Sequence, residues 1–320
     1  MLRHSDAVVI HVIYRLIVSI PVIFGVLVLG FVLMNMVPTD PAIIVAGDAV
    51  TDKVLEAIRK ELGLDRTIAE RFLFYIGKFL QGDLGRSLIN KARVIDELRR
   101  TIGPSAELMV ASVLWSSFAG VALGTLAAVK RRSLIDRAIM AISVTGVCMP
   151  SFMIGLLLIY YVGFVLQVLP FQGRGGPLWT LVGLEHLLLP SLSLGSLLLG
   201  PVARMTRTSL LDVLGQDFIR TARAKGLKES SVVLHHGLRN AMIPTVTVIG
   251  LQAGYLLGGA VITETIFAWP GVGRLAVGAI SAGDYPVAQG TILVLALSFI
   301  LFNLVVDISY VYLDPAISKS

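Results

Sequence analysis

"AMIPTVTVIGLQAGYLLGGAVIT", residues 241–263, runs for 23 residues without a charged side chain. A soluble core absorbs apolar residues, but not in uninterrupted stretches longer than about 18. Four more uncharged runs pass that length: Leu16–Val37, Leu108–Val129, Ala138–Gln172 and Tyr285–Val306. A sixth, Leu187–Ala203, becomes long enough once Arg204 sits at the membrane edge with its charged head toward water. Composition agrees: 55% of the 320 residues are hydrophobic and 15% charged, where soluble domains carry about a quarter charged. The reading is an all-α, polytopic membrane protein with about six spanning helices.

Lysine and arginine set the orientation. With the N-terminus inside, fourteen cations fall inside, among them Arg3, Arg15, Lys130, Arg131, Arg132, Arg137, Arg204, Arg207 and Lys319. The short outer loops carry only Arg174 and Arg274, and the other eleven lie in a long outer segment whose acidic residues balance them. Both termini are expected in the cytoplasm. The pI of about 9.5 reflects this bias and does not point to nucleic acid. The first run is too long for a secretory h-region and no small-residue cleavage site follows, so a retained signal anchor is expected.

Three regions follow: residues 1–37 with the first span, an extracytoplasmic helical insertion over 38–106, and a core over 107–320 with the other five spans. In the insertion, Asp52 is placed to cap a helix whose Val54, Leu55, Ile58 and Leu62 share a face, and Gly63 ends it. A second helix shows Ile68, Phe72, Tyr75, Ile76 and Phe79 on one side. A third spans about Val94–Ile102, with Gly103-Pro104 as a break and Ser105 as a cap for the second span. These faces pack on each other and the spans, or present a delivery surface to an external partner. The apolar connection after Trp269-Pro270-Gly271 suits a short re-entrant or interfacial helix.

Catalytic signatures are missing from the sequence. The only Gly-Lys pair, Gly77-Lys78, has no glycine five positions before it, so no P-loop exists to hold ATP. His235 and His236 are adjacent and point about 100° apart on a helix, a poor chelate. Cys148 is the single cysteine and reads as a small buried apolar residue. Ionisable residues inside spans mark proton or ion relays. Here only Asp307, near the inner end of the last span, comes close. That argues against a stand-alone secondary transporter, as the lack of a nucleophile or carboxylate cluster argues against a membrane enzyme. Arg204 and Arg207 read as headgroup anchors. The ridge Gly250-x-x-x-Gly254-x-x-x-Gly258 fits core packing or the lining of a passage against a second subunit.

One polar island stands out, "DFIRTARAKGLKESS" (217–231). Asp217 is a possible N-cap and Gly226 a stop, giving about two helical turns that carry Arg220, Thr221, Ala222, Arg223, Ala224 and Lys225. A second short helix starts at Ser230 or Ser231 and includes His236, Arg239 and Asn240; the fifth span begins near Pro244. A solvated loop obeying the positive-inside rule explains the composition but not the order of residues.

That order carries a resemblance. "RTARAKG" (220–226), "HGLRNAMIP" (236–244) and "TVIGLQAG" (247–254) are similar to the cytoplasmic loop of bacterial ABC importer permeases of the dipeptide/oligopeptide family. "GDLGRS" (82–87), "TETIFAWPGVGRL" (263–275), "DYPVAQG" (284–290) and "NLVVDISYVYLDP" (303–315) resemble the same family in the same order. Ala222 and Gly226 match the second alanine and the glycine of its E-A-A-x-x-x-G pattern, whereas Arg220 and Thr221 depart from it as the peptide branch does. The resemblance implies the type I ABC importer permease fold and an ATPase-coupling loop over 211–241. It also implies a bacterial inner-membrane subunit with no catalytic, cofactor or metal site of its own. ATP and Mg would sit on one or two cytoplasmic ABC ATPase subunits. A paralogous second permease, an extracytoplasmic substrate-binding protein and the lipid bilayer complete the expected partners. Dipeptides or oligopeptides are the implied cargo, with glutathione, nickel complexes, haem or sugars as alternatives within the class.

Overall fold

The computed structural model describes residues 2–36, 41–46, 51–61 and 63–313. The expected positions of Leu62 and Lys319 and the end of the first run at Val37 lie outside them. The helices are α1 (Leu2–Met36), α2 (Pro41–Ala46), α3 (Asp52–Glu61), α4 (Ile68–Leu80), α5 (Val94–Val129), α6 (Leu134–Cys148) and α7 (Ser151–Leu158). After them come α8 (Leu181–Leu214), α9 (Asp217–Ala224), α10 (Glu229–Ser231), α11 (Arg239–Ile266), α12 (Val272–Ser281) and α13 (Tyr285–Leu313). Among the described residues no β-strand forms, only an isolated bridge between Arg86 and Arg93. Four helical stretches among the described residues are long and apolar enough to cross a membrane: α5, α8, Glu229–Ile266 and Tyr285–Leu304. α6 and the segment after it, bent by 104°, pass the same test only together, as a broken span or a re-entrant loop. The first apolar run lies on α1.

The third run is therefore broken rather than straight. Met149 takes an extended ψ of 129° because the ring of Pro150 crowds the α conformation of the residue before it. Cys148, at this break, is exposed rather than buried. The buried face of α6 follows Asp136, Ile139 and Ser143, and five residues past Ser143 the helix has turned well off that face. Gly103-Pro104 behaves in the opposite way to Met149-Pro150: α5 continues through Pro104 without interruption.

Residues 2–12, 106–269 and 302–313 belong to one compact unit, centred on α8. Small residues let its neighbours approach closely. A Cβ on Gly124 of α5 would come within 2.4 Å of the Ala203 carbonyl oxygen, and one on Gly120 within 2.8 Å of the Val202 side chain. On α8 itself, a Cβ at Gly200 would meet the Ser143 carbonyl of α6 at 2.4 Å. Ser193 donates to the Ser151 carbonyl of α7 at 2.8 Å, and the Trp115 indole donates to Ser191 O at 2.8 Å. On α11, Gly259 meets Leu194 and Leu197, while Gly258 of the predicted ridge faces open space.

The second unit holds Ile13–Ser105 and Pro270–Leu301. Thr67 and Glu70 form a capping box on α4, and Phe72 and Tyr75 pack against Phe31 of α1 at ring distances of 5.2 and 6.0 Å. Ile68, expected on that face, is exposed. The hydroxyl of Ser87 donates to the buried carboxylate of Asp284, which also accepts the Leu88 N–H at 3.1 Å. Two stretches quoted above, "GDLGRS" and "DYPVAQG", thus meet in space. Val94, Leu98, Ala279, Val287 and Ala288 form the core beside them. Ser105 caps a helix, but not its own: it lies inside α5 and accepts the Val272 N–H of α12 at 2.8 Å.

Adding a methyl at Gly124 has no space to use, so Gly124→Ala should destabilise the purified protein by about 1–3 kcal/mol. Gly77→Ala on α4, where nothing lies within 4 Å, should instead be neutral or stabilise by about 0.5–1 kcal/mol. Thermal unfolding in detergent compares the two.

Candidate functional site: the loop between α8 and α11

Helix α8 runs past Arg204 and Arg207 to Leu214 and is capped at Gly215. Two residues later α9 begins. Its N-cap is Gln216, which makes no side-chain cap bond, so Asp217 is the first helical residue and not the cap. The Asp217 carboxylate instead takes Arg220 Nη1 at 3.2 Å. An acidic group in the first turn still suits the positive end of the helix dipole.

Alternation divides α9 into two faces. Ile219 and Ala222, one turn apart, are buried with Val232 and pack against Val213 and Leu214. The small side chain at 222 therefore serves packing within this chain. Arg220, Thr221, Arg223, Ala224 and Lys225 are exposed. So is Phe218, at 40%.

The chain turns at Gly226, whose φ of +76° favours glycine and whose missing Cβ would meet nothing within 4 Å. Backbone bonds from Lys225 N to Thr221 O and from Gly226 N to Arg223 O close the helix end. Leu227, just after the turn, is 42% exposed. Arg223 then reaches across the turn to Glu229 with a two-bond fork at 3.1 and 2.7 Å. Hydrogen bonds to that carboxylate push the Arg223 guanidinium further up from its ordinary value, the local burial notwithstanding. Glu229 was not among the residues expected to matter. Its signal was an acid beyond a glycine stop, six residues from a base.

The second helix starts at Glu229 rather than Ser230 or Ser231, and it leads without a gap into the fifth span. Pro244 lies inside α11 and does not mark its beginning. The irregularity comes earlier, as a π-helical stretch over Val232–Leu238. Gly237 sits there because a Cβ would come within 3.0 Å of Leu210 and 3.2 Å of Leu214. Asn240 Nδ2 donates to the His236 backbone oxygen at 2.7 Å, and Arg239 and Asn240 are exposed. The rings of His235 and His236 stand at 87° to each other. Of the expected site residues, the structure gathers 217–226 into one hairpin with Glu229 and places His236, Arg239 and Asn240 further along, at the foot of α11.

Residues 120–319 match the family described as binding-protein-dependent transport system inner membrane component, and residues 8–93 match the N-terminal region of such membrane components. The chain belongs to this family. It is an inner-membrane permease subunit of an ABC importer of the dipeptide/oligopeptide type. A glutathione transport system permease protein, GsiC, from Escherichia coli O6:H1 is 46% identical to this permease over 96% of this chain and 98% of the relative. Proteins of the same name from Escherichia coli K12 and Shigella dysenteriae serotype 1 are 45% identical over the same shares. As a membrane component the permease is not itself the ATPase.

The two faces of α9 separate stability from surface function. Ala222→Leu forces bulk against Ile219 and Val232 and should destabilise the permease by about 1–3 kcal/mol. Ala224→Leu, on the exposed side, should stay within about 0.5 kcal/mol of the unaltered protein. Unfolding midpoints of the two purified variants make the comparison.

Proposed function

We propose that this permease forms half of a peptide translocation path and couples it to ATP hydrolysed by separate subunits. In this reading the loop 211–241 lies in the cytoplasm, as do both termini, and docks one or two ABC ATPase subunits, which carry the ATP and Mg. A paralogous permease forms the other half, and an extracytoplasmic binding protein delivers cargo to the side of the 38–106 insertion. ATP-driven closure of the ATPases moves the docking hairpin, and the spans rock between inward- and outward-facing arrangements.

The single observation that carries this reading is the division of α9. One face is spent inside the chain on Ile219 and Ala222, so the hairpin is held firmly. The other offers Arg220, Thr221, Ala224 and Lys225 beside two half-exposed apolar side chains, Phe218 and Leu227. An apolar centre with a charged rim is the make-up of a protein interface. A loop needed only for topology has no use for either.

For cargo, the likeness to permeases named for glutathione supports a small peptide-like solute, with glutathione the first candidate and other short peptides next. The binding protein sets most of the selectivity in such a system, so the cargo is best identified with that protein present.

Arg220→Glu combined with Ala224→Trp should leave the permease folded in the membrane. Loss of one interface hot spot, about 2 kcal/mol, lowers ATPase affinity about 30-fold. Co-purification of the ATPase and uptake of labelled glutathione or a dipeptide by cells expressing the whole importer should both fall. Full co-purification would reject the docking surface, and uptake of neither solute by the unaltered system would reject the cargo class.

A further inference from the structure

The turn between α5 and α6 is short, basic and tightly wound. Arg132 adopts φ +63°, a left-handed conformation that a non-glycine residue takes only when something holds it. Its N–H donates to Asp136 Oδ2 at 2.9 Å, and Ser133 caps α6 by accepting the Asp136 N–H at 3.2 Å. Asp136 is only 4% exposed, so its charge needs a partner. Arg207 of α8, 71 residues away, supplies one with Nε to Oδ1 at 2.6 Å and Nη2 to Oδ2 at 2.8 Å. The expected headgroup anchor is thus an internal fork.

Two kinds of contact join α8 to α5 and α6 near this point. Gly120 and Gly124 of α5 lie against Val202, Ala203 and Thr206. Such steric contact resists pushing but not pulling or rotation. The Asp136–Arg207 fork resists all three, because two parallel charge-assisted bonds fix both distance and plane. Beyond Arg207, α8 runs about two more turns to Leu214, on which Ile219, Ala222 and Val232 of the hairpin pack. A displacement of α9 therefore reaches the α5–α6 turn through α8 and this ion pair, alongside the apolar packing of Ala128 with Leu210 and Val233.

We propose that Asp136 and Arg207 are positioning residues for transport: their fork is the joint through which the hairpin moves α5 and α6 in both directions of the cycle. This rests on α9 being the ATPase-docking element. Neither residue contacts cargo; both act through α8.

The test uses the whole importer in proteoliposomes and reads cargo taken up per ATP hydrolysed. Asp136→Asn combined with Arg207→Met removes both charges, leaving no buried charge unpaired. A pair with only a structural role is often replaceable in this way at little loss of stability. The double variant should keep its unfolding midpoint, its bound ATPase and its hydrolysis, while uptake per ATP falls about tenfold, a usual size for coupling between sites. An unchanged ratio overturns the proposal. Arg207→Lys keeps the charge without the fork and should also lower the ratio. If the double variant does not reach the membrane, an unchanged ratio in Arg207→Lys overturns the proposal equally. The docking reading fails separately, if Arg220→Glu with Ala224→Trp leaves the ATPase bound.

Discussion

Hydrocarbon is as apolar as a leucine side chain, so burying leucine against leucine does not draw two helices together inside a bilayer. What remains is close contact and hydrogen bonding, and this permease uses both around α8. Gly120 and Gly124 of α5, Gly155 of α7 and Gly195 and Gly200 of α8 itself are places where a methyl group would collide with the neighbour. Hydroxyls and an indole bridge the same contacts, with Ser193 on Ser151 and Trp115 on Ser191. Helices held at such short range slide or pivot as bodies; they do not deform gradually. A transporter that alternates between two arrangements needs bodies of this kind.

The hairpin after α8 continues the same logic with different chemistry. Outside hydrocarbon the hydrophobic effect is available again, and Ile219, Ala222 and Val232 use it to fasten α9 to the end of α8. Once they are spent, the remaining face of α9 stays exposed. The exposed Arg223–Glu229 fork closes the hairpin but is screened by water, so it shapes the turn more than it stabilises it. Gly226 makes the turn possible; the packing of α9 makes it firm.

The sequence shows the apolar runs because lipid demands them: a spanning helix must be long and uncharged, and nothing distant can excuse it. The short helix after Trp269-Pro270-Gly271 was legible for a related reason, a glycine–proline break before an apolar stretch. Gly103-Pro104 was expected to break the chain and does not, because a proline's effect depends on what surrounds it. At Met149-Pro150 the chain bends by 104°, whereas α5 passes through Pro104. Contacts between distant residues left no trace at all. Ser87 and Asp284 lie 197 positions apart, and Arg207 and Asp136 lie 71 apart. A lone arginine at the end of a span reads as a headgroup anchor until its acid is found.

The same reasoning explains why the expected loop residues gather in one hairpin yet divide between its two faces. A run of basic and small residues in a greasy chain marks a loop outside the spans, yet it does not say which small residue faces in. Ala222 and Ala224 are chemically identical and two positions apart, and on a helix that separation is about 200°. One is buried against Val232 and the other is exposed. The hydrophobic residues Phe218 and Ile219 divide in the same manner, with Ile219 inside and Phe218 at the surface. Register is fixed by the two residues Gly215 and Gln216 that join α8 to α9. A one-residue insertion there would rotate α9 by about 100°, putting Phe218 in the place of Ile219 and turning Ile219 toward solvent. The length of that joint, rather than the composition of the helix, therefore decides which surface this permease shows.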